Sequence, residues 1–178
     1  SITLDTIPPV DPTLVLKDQT TGSTAYTDSR TVDVVVGNDS GVSAWLISES
    51  QSVQPVENDP GWGSEPVTFT LSAGDALKTV YIWVKDAAGN INSGPVSATI
   101  ILDATPPPKP YVSSWTHPDQ SKWYANNDPE FEWICDDSVS GISAYSYLLD
   151  QNPGTIPFDI SMGTGTSTTC FDLSLIHI

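Results

Sequence analysis

Oxygen-bearing side chains collect where this chain turns rather than where it runs straight. Asp5 precedes a Pro-Pro pair, Asn38 and Asp39 open a turn that closes at Gly41, and Asp86 and Asn90 bracket Ala87-Ala88-Gly89. A second set repeats the theme. Asp103 precedes another Pro-Pro pair, and Asp136 and Asp137 lead into a turn that closes at Gly141. Carboxylates, amide oxygens and backbone carbonyls are the ligands that Ca2+ takes, six to eight of them at about 2.3–2.6 Å. The same residue types also favour turns because their side chains hydrogen-bond their own backbone. Calcium coordination follows if separate turns meet; self-capped turns suffice if they do not.

Other chemistry finds little support. The two histidines, His117 and His177, are not at metal-ligand spacing, and no Gly-x-Ser-x-Gly elbow occurs. Gly163-Thr164-Gly165-Thr166-Ser167 lacks the lysine and following helix of a phosphate loop. Asp136 and Asp137, being consecutive, point to opposite sides of an extended chain, which suits a turn ligand better than acid–base work. Catalysis is therefore not expected. Cys135 and Cys170 are expected as free thiols, since Cys135 continues the apolar face of Phe131 and Trp133 while Cys170 alternates with Phe171 and Leu173.

The aromatic residues offer a second kind of site. If Val80, Ile82 and Val84 face a core, Tyr81 and Trp83 face the other way, and with Trp62 they could stack on sugar rings. The competing expectation is that the irregular stretch 49–66 folds back over them, anchored by Trp62.

The elements that must position these residues are strands. Val32, Val34 and Val36 alternate with Thr31, Asp33 and Val35, and similar runs occupy 13–16, 42–48, 67–71, 78–85 and 95–102. No segment shows a helical period with start and stop signals. The pattern also repeats. Leu4-Asp5-Thr6-Ile7-Pro8-Pro9 returns as Leu102-Asp103-Ala104-Thr105-Pro106-Pro107, and Ser40-Gly41-Val42-Ser43-Ala44-Trp45 returns as Ser140-Gly141-Ile142-Ser143-Ala144-Tyr145. A period near a hundred residues predicts tandem units. The expected division is the last strand of a preceding repeat plus linker (1–9), a complete β-sandwich (10–103), a proline-rich linker (104–110) and an incomplete β-sandwich (111–178), in a chain read as part of a longer protein. Lacking two strands, the second sandwich is expected to leave Tyr145, Tyr147 and Leu149 partly uncovered.

Charge narrows the partners. Six Lys+Arg against 22 Asp+Glu give a formal net charge of −16. Nucleic acid and anionic membrane are disfavoured by that surface, and no apolar run approaches the about 20 residues a membrane helix needs.

In Leu102-Asp103-Ala104-Thr105-Pro106-Pro107, in Val84-Lys85-Asp86-Ala87-Ala88-Gly89-Asn90, and in the Ser-Gly turns before Trp45 and Tyr145, the chain resembles the bacterial immunoglobulin-like and fibronectin-type-III-like repeats of secreted and cell-surface proteins. The resemblance implies immunoglobulin-like sandwiches in which the incoming linker and two strand-connecting turns share one pole. On that map Asp5, Asn38, Asp39, Asp86 and Asn90 come together. Asp103, Asp136 and Asp137 form the partial equivalent, with Asp18 or Asp75 facing that joint. The resemblance further implies Ca2+ at domain joints and neighbouring repeats as partners. The function it implies is a non-enzymatic spacer or stalk of a large extracellular bacterial surface protein. Alternatives are a carbohydrate-binding module of a secreted hydrolase, reading polysaccharide, or an adhesin domain that binds a surface protein.

Overall fold

Alternation of apolar and polar side chains makes Thr13–Asp18 the first strand (β1), with Leu14 and Leu16 buried and Thr13, Val15 and Lys17 outward. The computed structural model describes residues 4–50, 53–119, 121–148, 155–156, 163–169 and 176–177. It is all-β, with no helix among the described residues, and it divides into two units, Ser1–Pro106 and Pro107–Ile178.

In the first unit the strands after β1 are β2 (Tyr26–Thr27), β3 (Thr31–Gly37), β4 (Ala44–Ser48), β5 (Thr68–Thr70), β6 (Ala76–Lys85) and β7 (Val96–Leu102). They form two sheets, ordered β1-β3-β5 and β2-β7-β6-β4. Leu14, Leu16, Val32 and Val34 from one sheet meet Val80, Ile82, Ile100 and Leu102 from the other, with Leu71 between, as in a β-sandwich. Burying each such side chain contributes about 1.5–3 kcal/mol, which makes this double layer the main source of stability. Val36, Trp45, Ile47, Phe69 and Val96 pack at its margin.

Strand register places the turns. Thr13 pairs with Gly37, so the end of β3 lies beside the start of β1. Ile82 pairs with Val96 and Ala76 with Leu102, so β6 ends where β7 begins and begins where β7 ends. The first end is the leading pole, which carries the incoming chain, the turn at 38–41 and the turn at 86–92. The second is the trailing pole, which carries Asp18, Asp75 and Asp103. Leu102 pairs with Thr27, whose hydroxyl donates to Asp18 at the end of β1 (2.8 Å), so β1 and β7 run in the same direction. The chain enters this unit at one pole and leaves at the other.

The second unit contains β8 (Tyr111–Ser113), β9 (Trp123–Tyr124), β10 (Glu130–Ile134), β11 (Ser167–Thr169) and β12 (Ile176–His177). β10 is the centre of an antiparallel β11-β10-β8 sheet, and β9 pairs with β12. Residues 142–148 are not a strand. Between β8 and β9 the buried His117 places Nε2 2.9 Å from the Asn126 carbonyl and meets Tyr124 edge-on at 4.6 Å. It pins that loop.

Some expectations change. β2 has only two residues, too few for periodicity to reveal, and it exists because Thr27 O accepts from Asp103 N at the far end of the unit. Leu4 is 87% exposed and lies in no strand, and residues 1–3, the rest of the expected strand of a preceding repeat, lie outside the described residues. Leu149, Cys170, Phe171 and Leu173 also lie outside them.

Candidate functional site

The residues singled out for chemistry in the first unit gather mainly at the leading pole, where backbone amides and side-chain amides do the joining. Asp86 sits one residue beyond β6. Its Oδ1 accepts from Ala88 N (2.8 Å) and Asn90 N (2.9 Å), and its Oδ2 accepts from Asn90 Nδ2 (2.9 Å). These donors stabilise the charged form, the Asn90 side chain most of all, and hold the carboxyl below its ordinary range. The turn requires glycine at position 89, where φ is +93° and an added Cβ would lie 2.5 Å from the Glu57 carboxylate.

The same Asn90 Nδ2 also donates to the Asp5 carbonyl (3.2 Å), across 85 residues of chain. Asp5 in turn caps its own loop by accepting from Ile7 N (3.0 Å). Asn38, at φ +56°, donates from Nδ2 to the Asp11 carbonyl (3.1 Å), and the adjacent Asp39 accepts from Val42 N (3.0 Å) through its carbonyl to close the turn. Asp5, Asn38, Asp39, Asp86 and Asn90 therefore share one end of the unit, and two of its loops grip the incoming segment.

Sequence reasoning missed the residue at the centre of this grip. Asn92 is fully buried. Its Oδ1 accepts from Val84 N (3.0 Å), while its Nδ2 donates to Asp11 Oδ1 (3.0 Å) and the Gly94 carbonyl (2.6 Å). All three side-chain bonds are to groups that would otherwise lose water without replacement. The available signal was the polar Asn-Ile-Asn run after a glycine turn, ending a strand that is apolar on both sides.

As folded, this set does not fit a calcium shell. Ca2+ needs six or more oxygens pointing inward, whereas here an N–H group of Asn90 lies between Asp5 O and Asp86 Oδ2. Among the described residues no three of His, Cys, Asp and Glu come close enough to share a metal. Lys85, immediately before Asp86, also brings a positive charge to this end of β6. Its ammonium donates to the Glu57 carbonyl (2.7 Å).

The trailing pole uses the same chemistry on the outgoing chain. Asp75 accepts from Ala104 N (3.0 Å) and from the Thr105 hydroxyl, and the hydroxyl does most to hold its carboxyl below the usual range. Asp103 accepts from Thr105 N (3.4 Å). Asp18 is only 4% exposed. It accepts from Thr21 N (2.7 Å), Thr21 Oγ1 (2.8 Å), Thr20 N (3.1 Å) and Thr27 Oγ1 (2.8 Å), and these bonds, led by Thr21 N, outweigh burial and depress its pKa. In the second unit Asp137 caps its turn by accepting from Val139 N (3.1 Å) and Ser140 N (3.3 Å), with exposed Asp136 beside it. Cys135 there is a free thiol that donates to the Pro108 carbonyl (3.1 Å).

The aromatic platform is corrected. Trp83 is 2% exposed, too buried to stack on a sugar, because it pairs beside Leu46 under the 49–66 excursion. Gly61 of that excursion lies against Leu46. Tyr81 is half-buried. Trp62 anchors the excursion through Nε1 to the Val56 carbonyl (2.9 Å), and the Lys85 ammonium lies 4.8 Å over its ring. With Trp83 covered, these three rings form no open row for a sugar.

Comparison of the chain with protein-family models and with curated proteins returned no match.

Proposed function

We propose that the chain is a non-catalytic spacer segment of a large extracellular bacterial surface protein, built from tandem immunoglobulin-like sandwiches. One observation carries this reading: the first unit receives the chain at one pole and releases it at the other, with both segments tied down. Asn90 and Asn38 hold the incoming side, and Asp75 holds the outgoing side. An enzyme or receptor site needs a shaped pocket, whereas a spacer needs ends that transmit position. Proline fixes φ and stiffens the connector Thr105-Pro106-Pro107-Pro108-Lys109-Pro110 that follows. Neighbouring repeats are the partners of such a segment.

Tension applied through the two poles loads β1 and β7 lengthwise, so many bonds must break together. Single-molecule pulling should give one abrupt unfolding step for the first unit, releasing roughly 90 residues at about 3.4 Å each. Gradual low-force extension sinks the spacer reading. Saturable binding to a panel of polysaccharides would transfer the chain to the accessory-module class. Calcium is the competing way to fasten the joints. A melting temperature that rises in millimolar calcium over chelator assigns the fastening to the cation, and an unchanged one assigns it to the amide network.

A further inference from the structure

The turn at 86–92 is gripped from two sides. On one side it holds the incoming chain, through Asn90 Nδ2 to the Asp5 carbonyl and Asn92 Nδ2 to Asp11 Oδ1. On the other it meets residues 53–63 of the excursion. Gln54 Nε2 donates to the Asn92 carbonyl (3.0 Å), and the ammonium of Lys85, one residue before the turn, donates to the Glu57 carbonyl (2.7 Å). The Glu57 carboxylate lies over Gly89, so close that a methyl group at that position would strike it. Asn92 is therefore shared. Its side chain fixes the incoming segment while its backbone carbonyl fixes the excursion.

Residues 53–63 also cover an aromatic face. Gly63 exchanges two backbone bonds with Trp45, at 3.0 and 2.8 Å, and Gly61 packs on Leu46. Beneath them Trp83 is 2% exposed, and its Nε1 is buried with no acceptor. A buried donor left unpaired opposes closure. Of residues 53–58 Pro55 alone is buried, so the polar ties carry much of the attachment. Ordering the 86–92 turn costs conformational entropy once, and a segment that docks on an already ordered turn meets a smaller penalty.

We propose that seating of the incoming chain and closure of 53–63 over Trp83 form one coupled two-state device, with the 86–92 turn as the shared element. When the incoming chain is seated, the aromatic face is shut. When it is detached, 53–63 lifts and Trp83 and Leu46 become accessible. Pulling the incoming chain off the pole therefore uncovers a surface that the resting molecule hides. Such coupling is reciprocal, so loosening either side loosens the other by the same factor. The device does not rest on the spacer reading, since both grips belong to the first unit alone.

Amide hydrogen exchange and hydroxyl-radical labelling of the full chain, both read by mass spectrometry, test it. Asp11→Ala, at an exposed position, takes an acceptor from Asn92 without altering 53–63. Exchange in 53–63 should rise about fivefold or more, the low end of usual coupling between sites, and labelling of Trp83 should rise with it. Asp11→Asn keeps an acceptor oxygen and should stay near the parent. In the other direction Lys85→Met frees Glu57 and Trp62, and exchange in 5–11 should rise by a similar factor. Asp75→Ala, at the far pole, should move neither segment. The proposal is overturned by an unchanged 53–63 in Asp11→Ala, by an unchanged 5–11 in Lys85→Met, or by equal loosening in Asp11→Asn. A rise spread evenly through β3 and β6 overturns it too, because that reports global destabilisation rather than a shared turn.

Discussion

The two units lay down matching backbone bonds at matching places, yet they bury different amounts of side chain. Gly41 and Gly141, at φ +85° and +77°, turn the chain before Trp45 and Tyr145. From there the first unit continues into β4 and the second does not. The local sequences Ala44-Trp45-Leu46-Ile47-Ser48 and Ala144-Tyr145-Ser146-Tyr147-Leu148 are both compatible with a strand. In the first unit β6 gives β4 a ladder and gives Trp45 and Ile47 an apolar layer to pack on.

The contrast between the units is greatest in the closed core, and a cavity there tests it most severely. Ile82→Ala should destabilise the first unit by about 3 kcal/mol in denaturant unfolding, the usual range for emptying a closed core site. Phe131→Ala in the second unit should cost clearly less, since its surroundings are open and can collapse. Equal losses would mean that the second unit is as closed as the first. Hydrogen exchange offers the same contrast without mutation, with slower exchange in β3 and β6 than in β10.

Next come the buried polar anchors at the two poles of the first unit. Asp18→Ala leaves the Thr20 and Thr21 amides and the Thr27 hydroxyl without their acceptor and should cost about 3 kcal/mol. Asn92→Ala removes both the cap on Val84 N and the tie to Asp11, and should cost about 2 kcal/mol. If Asn92→Ala leaves the amide protection of 5–11 unchanged, the grip on the incoming chain is not what orders it.

Acid should separate the units more gently. Asp18, Asp75 and Asp86 in the first unit and Asp119 in the second all have pKa values lowered by hydrogen bonds. For Asp119 the chief donor is the Ser121 side chain. A lowered folded-state pKa contributes stability that is present above the unfolded value and is lost as pH falls through the folded value. Melting temperature should therefore hold steady from pH 8 to about 5 and fall below about 4, where an unfolded Asp takes up its proton. The first unit should lose more, because among the described residues it holds the buried member of this set, Asp18. A fall that begins near pH 6 would contradict the carboxylate account.

The smallest effect is at the outgoing chain. Asp75→Ala should leave the melting temperature nearly unchanged, because the group is at the surface, while the Ala104 amide loses exchange protection. Unchanged protection at Ala104 would show that proline stiffness alone orders the connector.

Much of this organisation could be read from residue order. Alternation at Val32, Val34 and Val36 and the runs through Ile82 and Ile100 mark strands and their inner faces, because burial on one side of a pleat imposes a period of two. The sharing of a pole by Asp5, Asn38, Asp39, Asp86 and Asn90 is also visible, through resemblance to a known sandwich. The cover over Trp83 is visible as well, since large aromatics on the outer face call for the 49–66 stretch to fold back over them with Trp62 as its anchor. Two things are not. Asn92 and Asp11 carry no signal of their own because their value lies in each other, 81 residues apart. The amide donors that fill the acidic pole are likewise invisible, since composition counts carboxylates and not the N–H groups facing them. The chain alone determined where it turns and which faces are apolar, because those follow from backbone sterics and the water-avoidance of side chains near in sequence. Only the tertiary structure decided which polar groups satisfy one another and which apolar faces find a cover, because both depend on segments brought together from far along the chain.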